Sequence, residues 1–209
     1  MLALIMCGGK GERIKDYCSE KAMLRFNNKP LIEHTLKSLE CSKLVDRIYA
    51  ATSSNAKITS EFLKSHSYYI SGFLEIIETS GINYSNDLTN ILEKLRPHVV
   101  FVMPSDTPLI SSELIDTIIS TWNGDKQCIS VLMEKEFIMR LELKPTLSVK
   151  LGNKEYFHSG ITIFDCSKIQ RGKSVKEHYI ILNDERLAYN INTKKDFLLL
   201  SSKKINQEY

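Results

Sequence analysis

The 209-residue chain is sparing in the residues that punctuate a fold, with nine glycines, five prolines and one tryptophan. Its five cysteines, Cys7, Cys18, Cys41, Cys128 and Cys166, are odd in number, and no two stand as C-x-x-C. That excludes both a disulfide framework and the common zinc-ligand spacing, and scattered reduced cysteines suit the cytosol. Neither sign of charge dominates. Lys and Arg number 28 against 25 Asp and Glu, a net +3, which is too little to carry non-specific nucleic-acid binding. Long apolar runs are missing as well. Beyond the N-terminal stretch the longest is Val99–Met103, far short of a membrane span. The opening Leu2–Cys7 is short and has no basic region before it, unlike a signal peptide. The expectation is an untargeted cytoplasmic protein with no membrane span and no nucleic-acid partner.

Disorder is excluded over most of the chain by 43% hydrophobic and 25% charged residues. Short, nearly continuous apolar runs at residues 2–6, 48–52, 74–77 and 99–103 predict strands buried on both faces. Between them lie stretches of helical period. Pro30 opens one at 31–39, a second covers 55–65, and a third at 85–96 carries Leu88, Ile91, Leu92 and Leu95 before Pro97 ends it. Ser111 stands ready to cap a fourth. This β-α alternation predicts an α/β fold: a Rossmann-like three-layer sandwich, its central sheet mostly parallel, with helices on both faces. After Trp122 the rhythm changes. Strands are expected at 128–133 and 158–164, with further strands at 179–182 and 187–191, and 134–157 reads as charged and irregular. Thr193-x-x-Asp196 starts a last helix. One domain is expected, with a nucleotide-binding half to about residue 122, an acceptor half over about 123–202, and a frayed tail at 203–209.

Three of the nine glycines, Gly8, Gly9 and Gly11, fall within four residues. They sit in Cys7-Gly8-Gly9-Lys10-Gly11-Glu12-Arg13, directly after the first strand. Glycines let backbone N–H groups close around an anion, and Lys10 and Arg13 add charge that suits phosphate oxygens. The spacing is neither G-x-x-x-x-G-K-[ST] nor G-x-G-x-x-G, yet the loop leaves the carboxyl end of a strand, where open α/β sheets bind ligands. Asp106, in Pro104-Ser105-Asp106-Thr107-Pro108, ends another buried strand and offers a carboxylate of the kind Mg²⁺ takes alongside phosphate oxygens. A D-x-D motif is absent there, because both positions two away are proline. The five histidines form no spaced cluster.

The string from Leu4 to Arg13, followed by Lys21 in Ser19-Glu20-Lys21-Ala22, resembles the nucleotidyltransferases of the molybdopterin guanylyltransferase-like group. Ala22 departs from the proline of the group's pattern. With Ile48–Ser53, Glu78–Gly81 leading to Asp87, Ser159-Gly160-Ile161, and Asn190-Ile191-Asn192-Thr193 before Asp196, the order over residues 2–200 is similar to that of archaeal GTP:adenosylcobinamide-phosphate guanylyltransferases. The resemblance implies the nucleotide-diphospho-sugar transferase type of fold and transfer of GMP from GTP to a corrinoid phosphate, with Mg²⁺ as cofactor. Molybdopterin guanylyltransferase or a sugar-phosphate nucleotidyltransferase is the alternative, and a non-catalytic nucleotide-binding regulator is the rival of another class. It implies catalytic roles for Arg13, Lys21 and Asp106, and nucleotide binding by residues 7–13 with Thr52, Thr79, Ser80, Gly81 and Asp87. Ser159 and Gly160 fall beside the acceptor, against the plain alternative of a glycine in an ordinary strand. Asp106 with Asn190 or Asn192 falls at the metal, the choice between the asparagines staying open, and Thr193 or Asn192 can equally cap the last helix. Small molecules are the expected partners, and a homodimer is compatible with the group.

Overall fold

A computed structural model describes residues 1–9, 18–143 and 147–202. Its centre is an eight-stranded sheet. The strands are β1 (Leu2–Met6), β4 (Arg47–Thr52), β5 (Leu74–Glu78), β6 (Val99–Pro104), β7 (Cys128–Glu134), β8 (Ser148–Leu151), β9 (Lys154–Asp165) and β10 (Glu177–Ile181). They run in the order β10-β7-β9-β6-β1-β4-β5, with β8 on β9. A separate hairpin pairs β2 (Arg25–Phe26) with β3 (Lys29–Pro30). The ladders β1–β4, β1–β6 and β4–β5 are parallel. β9 runs antiparallel to β6, β7 and β8, and β10 is parallel to β7.

The helices named below are α1 (Leu31–Glu40), α2 (Lys57–Ser65), α3 (Ser67–Ile70), α4 (Tyr84–Lys94), α5 (Ser112–Ile119), α6 (Lys135–Arg140), α7 (Glu185–Ala188) and α8 (Lys194–Ser202). The strand period of two sorts β1 between two cores. Ala3 and Ile5 join Leu31, Leu36, Leu63, Ile115 and Ile118 of α1, α2 and α5, while Leu4 joins Ile91 and Leu92 of α4 on the opposite face. Layers on both faces explain why β1 and β6 read as unbroken apolar runs. Ser111 accepts from Leu114 N–H (3.4 Å) and caps α5, and Asn83 accepts from Asn86 N–H (3.0 Å) and caps α4. Among the described residues no helix is long and apolar enough to cross a membrane.

Two expectations need correction. The charged stretch 134–157 is not irregular throughout, because it holds α6, β8 and the start of β9. α6 buries only Ile138, so a helix of six residues leaves almost no periodic trace. Residues 187–191 are not a strand either. α7 takes residues 185–188. The apolar alternation there is real, since Leu187, Tyr189 and Ile191 are all buried, but no strand pairs with the segment. It runs as an unladdered strip that anchors alternate residues in the core and presents Asn190 and Asn192 to a cleft.

Candidate active site

β1 has β4 and β5 on one side and β6 on the other, which makes the carboxyl ends of β1 and β6 the point where the strand order reverses. Open α/β sheets bind ligands at that point, and a cleft of about 910 Å³ opens there. Its centre is formed by Met6–Gly9 after β1 and by Pro104, Ser105 and Asp106 after β6. One wing carries Thr79, Gly81, Ile82, Tyr84 and Asp87, and the other carries His158, Gly160, Thr162, Phe164 and Glu177.

At the end of β1, Cys7 N–H donates to Ala51 carbonyl (2.9 Å), continuing the ladder into the loop. Ser53 Oγ donates to Gly8 carbonyl (3.1 Å). A Cβ on Gly8 would come within 3.3 Å of Ser53, so the chain passes close to the β4 loop with little space for a side chain. Cys7 is buried, and burial pushes its thiol up to about 12. It packs as a small hydrophobe and offers no nucleophile. Gly8 and Gly9 line the cleft. Lys10, Gly11, Glu12 and Arg13 lie outside the described residues.

The charged centre joins residues far apart in sequence. Asp106 is 1% exposed, and the Lys21 ammonium contacts its carboxylate. Neither Asp106 oxygen receives a hydrogen bond of ordinary geometry among the described residues. Lys21 Nζ also donates to Asn192 Oδ1 (3.0 Å), and Asn192 Nδ2 donates to Asn190 Oδ1 (3.0 Å). Two local structures hold this set in place. Ile191 N–H donates to the Asp106 carbonyl (3.1 Å), tying the asparagine strip to the β6 loop. Thr193 Oγ1 accepts from Asp196 N–H (3.2 Å), and the Asp196 carboxylate accepts from Asn192 and Thr193 N–H (3.1 and 2.8 Å). Thr193, not Asn192, therefore caps α8 in a reciprocal box, leaving the Asn192 side chain to meet Lys21.

Sequence reasoning missed Glu20. Its carboxylate accepts from Ile58 N–H (2.8 Å), Thr59 N–H (2.7 Å) and Thr59 Oγ1 (2.6 Å). The two N–H groups are orphan donors of the first turn of α2, so Glu20 fixes the backbone immediately before Lys21. Its sequence signal was only its place beside the lysine.

In the first wing, the Asp87 carboxylate is taken up by the β5–α4 loop. It accepts from Ser80 N–H and Oγ (3.1 and 2.8 Å) and from Gly81 N–H (2.9 Å). Ser80 thus shapes the loop, Asp87 braces it while also lining the cleft, and Thr79 and Gly81 line the cleft beside it. Thr52 is buried beneath them, and its carbonyl accepts from Thr79 N–H (2.8 Å) and Oγ1 (3.0 Å). Gly81 has φ +67, and a Cβ there would meet Ser53 and Asn55 at 2.6 Å, so both conformation and space require glycine.

In the second wing, Ser130 pairs with Thr162 but Leu132 pairs with His158, so β9 spends four residues where β7 spends two. The bulge holds Ser159 and Gly160. Ser159 is buried, donating to Val131 carbonyl (2.9 Å) and accepting from Ile161 N–H (3.1 Å). It braces the bulge from below, while Gly160 reaches the cleft at φ +88, close to Pro104. This is not a glycine in an ordinary strand, and bulges of this kind recur beside active sites.

A family profile described as a MobA-like NTP transferase domain matches residues 3–152. A protein of Pyrococcus horikoshii named "Probable molybdenum cofactor guanylyltransferase" is 29% identical over 61% of this chain and 59% of its own length. The chain spans about three fifths of the length of that relative and of two similarly named Thermococcus proteins. A 3-deoxy-manno-octulosonate cytidylyltransferase of Thermodesulfovibrio yellowstonii is 24% identical over 90% of this chain and 75% of its own length. Among solved structures, 4-diphosphocytidyl-2C-methyl-D-erythritol synthase from Anaerococcus prevotii superposes with a TM-score of 0.64 at 15% identity, covering 96% of this chain and 95% of that one. At that identity the likeness is one of fold, and it matches the mostly parallel sheet flanked by helices.

Proposed function

The chain belongs to the MobA-like NTP transferase domain family, and from that premise we propose that it is a nucleotidyltransferase that joins the α-phosphate of GTP to a phosphate on a small-molecule acceptor. An acceptor phosphate oxygen attacks the α-phosphorus, the bond to the bridging oxygen of the β-phosphate breaks, and pyrophosphate leaves. An acceptor phosphate with a second pKa of about 6 is already ionised at neutral pH, so the step requires no general base. The work is positioning and charge stabilisation. Gly8 and Gly9 cradle phosphate, Lys10 and Arg13 add charge from the loop, and Lys21 faces the charge that develops as pyrophosphate departs.

The observation that carries this reading is the buried Asp106 carboxylate, which lacks ordinary hydrogen bonds and stands at the strand-order reversal beside Lys21 and Asn192. Lys21 meets Asp106 at Oδ2, whereas the buried Oδ1 has no donor among the described residues. Such an oxygen calls for a further cation, and one carboxylate with nearby amide oxygens suits Mg²⁺, which takes phosphate oxygens and water for the rest. Among the described residues no three His, Cys, Asp or Glu side chains cluster as a metal cage, so the residues fit an ion bound jointly with nucleotide. Asp106 would hold it with Asn190 or Asn192 nearby, and when bound it supplies Lewis-acid polarisation of the phosphate oxygens. We place residues to about 122 on the nucleotide side and about 123–202 on the acceptor side of one cytoplasmic domain. Its partners are small molecules.

The order of motifs favours adenosylcobinamide phosphate as acceptor. Molybdopterin is the second reading, favoured by the names of the three archaeal relatives. The test is a panel of GTP, ATP, CTP and UTP against adenosylcobinamide phosphate, molybdopterin and sugar phosphates, with pyrophosphate measured and Mg²⁺ present or chelated. GTP with the corrinoid is expected to give the highest rate, abolished by chelation. CTP or UTP outpacing GTP with every acceptor would overturn the donor assignment.

A further inference from the structure

The sheet is covered unequally. The core on the face opposite α1, α2 and α5 draws on α4 and on a single 3-10 turn, Cys166–Lys168. Past β6 on that face, alternate residues of β9, namely His158, Gly160, Thr162 and Phe164, line the cleft, and Glu177 at the start of β10 lines it beside them. A polar network braces Glu177. Ser130 Oγ donates to Oε1 (2.5 Å) and Tyr179 OH to Oε2 (2.9 Å), and Ser130 also meets Thr162 Oγ1 (2.8 Å). His158 Nδ1 accepts from Gly160 N–H (2.8 Å), so the ring proton sits on Nε2, which faces Glu177 Oε1 at 3.6 Å.

His158, helped by Ser130 and Tyr179 and opposed by burial, holds the Glu177 carboxyl down at about 2. The carboxylate is therefore charged at any working pH. Its side chain keeps 37% of its surface exposed, and a carboxylate has about four lone-pair sites, so it can still accept from a ligand. It does not suit triphosphate, which it would repel. β7 and β9 lie between β10 and β6, and in the ladders Glu177 stands level with Cys128, Phe164 and Val100, before the carboxyl end of β6, which places it away from the phosphate centre.

We propose that Glu177 selects the acceptor, taking a hydrogen bond from an amide N–H or hydroxyl on the body of the acceptor phosphate ester and rejecting esters that carry an anionic group there. This rests on the nucleotidyl-transfer reading only in giving this wing to the acceptor. The test is calorimetric titration of adenosylcobinamide phosphate into wild type, Glu177→Gln and Tyr179→Phe, with a fluorescent GTP analogue titrated in parallel and thermal melts as the control for folding. Loss of a charge-assisted hydrogen bond weakens corrinoid binding by about 10- to 100-fold in Glu177→Gln. Tyr179→Phe, which removes one brace and leaves the carboxylate, weakens it less and remains informative if Glu177→Gln fails to fold. GTP affinity stays within about twofold, and in turnover the acceptor KM rises while kcat at saturation holds. Unchanged corrinoid affinity in both variants overturns the proposal, as does a parallel loss of GTP affinity. Failure of wild type to bind the corrinoid overturns it too, while pyrophosphate release with another acceptor would leave nucleotidyl transfer standing. Failure to bind GTP with corrinoid binding intact and sensitive to Glu177 would do the reverse.

Discussion

The two sides of the sheet's first strand differ in how they are built. From β6 to β5 the strands are parallel; β1 and β6 are apolar runs buried on both faces, β5 at the edge buries only Leu74 fully, and the loops that close these strands reach the cleft. From β9 to β10 the strands mix directions, one strand is bulged, and one face carries Ser130, Thr162, His158 and Glu177. The first side can place a phosphate from backbone and a few charges. The second keeps a polar face on the cleft, the face that the proposed acceptor site uses and that a sheet covered by helices would bury at a cost.

The largest effects should come from the seam between the two. Asp106→Ala is expected to lower GTP-dependent product formation by about 10³-fold or more while the melt is largely preserved, since the Lys21 left behind is partly exposed and keeps its hydrogen bond to Asn192. Near-normal turnover with Mg²⁺ would remove Asp106 from the chemistry. Lys21→Ala should cost about 10²-fold in kcat. It should also lower stability, because it leaves Asp106 buried and unpaired, and a melt separates the two effects.

On the nucleotide side, Gly81→Ala should cost about 1–3 kcal/mol in stability by denaturant titration and weaken GTP binding, because φ +67 and the 2.6 Å approach to Ser53 and Asn55 forbid a Cβ. Equal stability would show that the β5–α4 loop relaxes freely. Glu20→Gln keeps the shape but weakens the grip on α2. It should slow turnover about tenfold, as supporting residues do, with little change in GTP affinity. The smallest effect separates buried from exposed thiols. At pH 8 iodoacetamide should label Cys41, which is exposed, and spare Cys7, Cys128 and Cys166, each buried and pushed up to about 12 by burial. Rapid labelling of Cys7 in native protein would contradict the tight packing under Gly8.

The same contrast explains what could be read from sequence. β1 and β6 were legible because burial on both faces leaves an unbroken apolar run, and β4 and β5 because they keep short apolar cores. Asp106, Lys21 and the pair Asn190 and Asn192 could be singled out because short motifs surround them, though not which asparagine meets Lys21. Residues 187–191 misled because core-facing alternation looks the same with or without a ladder. Glu177, His158 and Ser130 were illegible as a set, because 47 residues separate Ser130 from Glu177 and only the β7–β10 pairing joins them. The roles of Ser159, Thr52 and Asp87 needed coordinates for another reason. Each acts by bracing a neighbour that reaches the cleft, and sequence does not say which member of a motif faces out.

The most direct measurement follows the label from GTP in the presence of adenosylcobinamide phosphate and Mg²⁺. With nucleotidyl transfer, label at the α-phosphate appears on the acceptor and label at the γ-phosphate appears in pyrophosphate. If γ-label reaches the acceptor, or is released as inorganic phosphate while the α-label stays in GDP, the cleft performs a different reaction and the account fails.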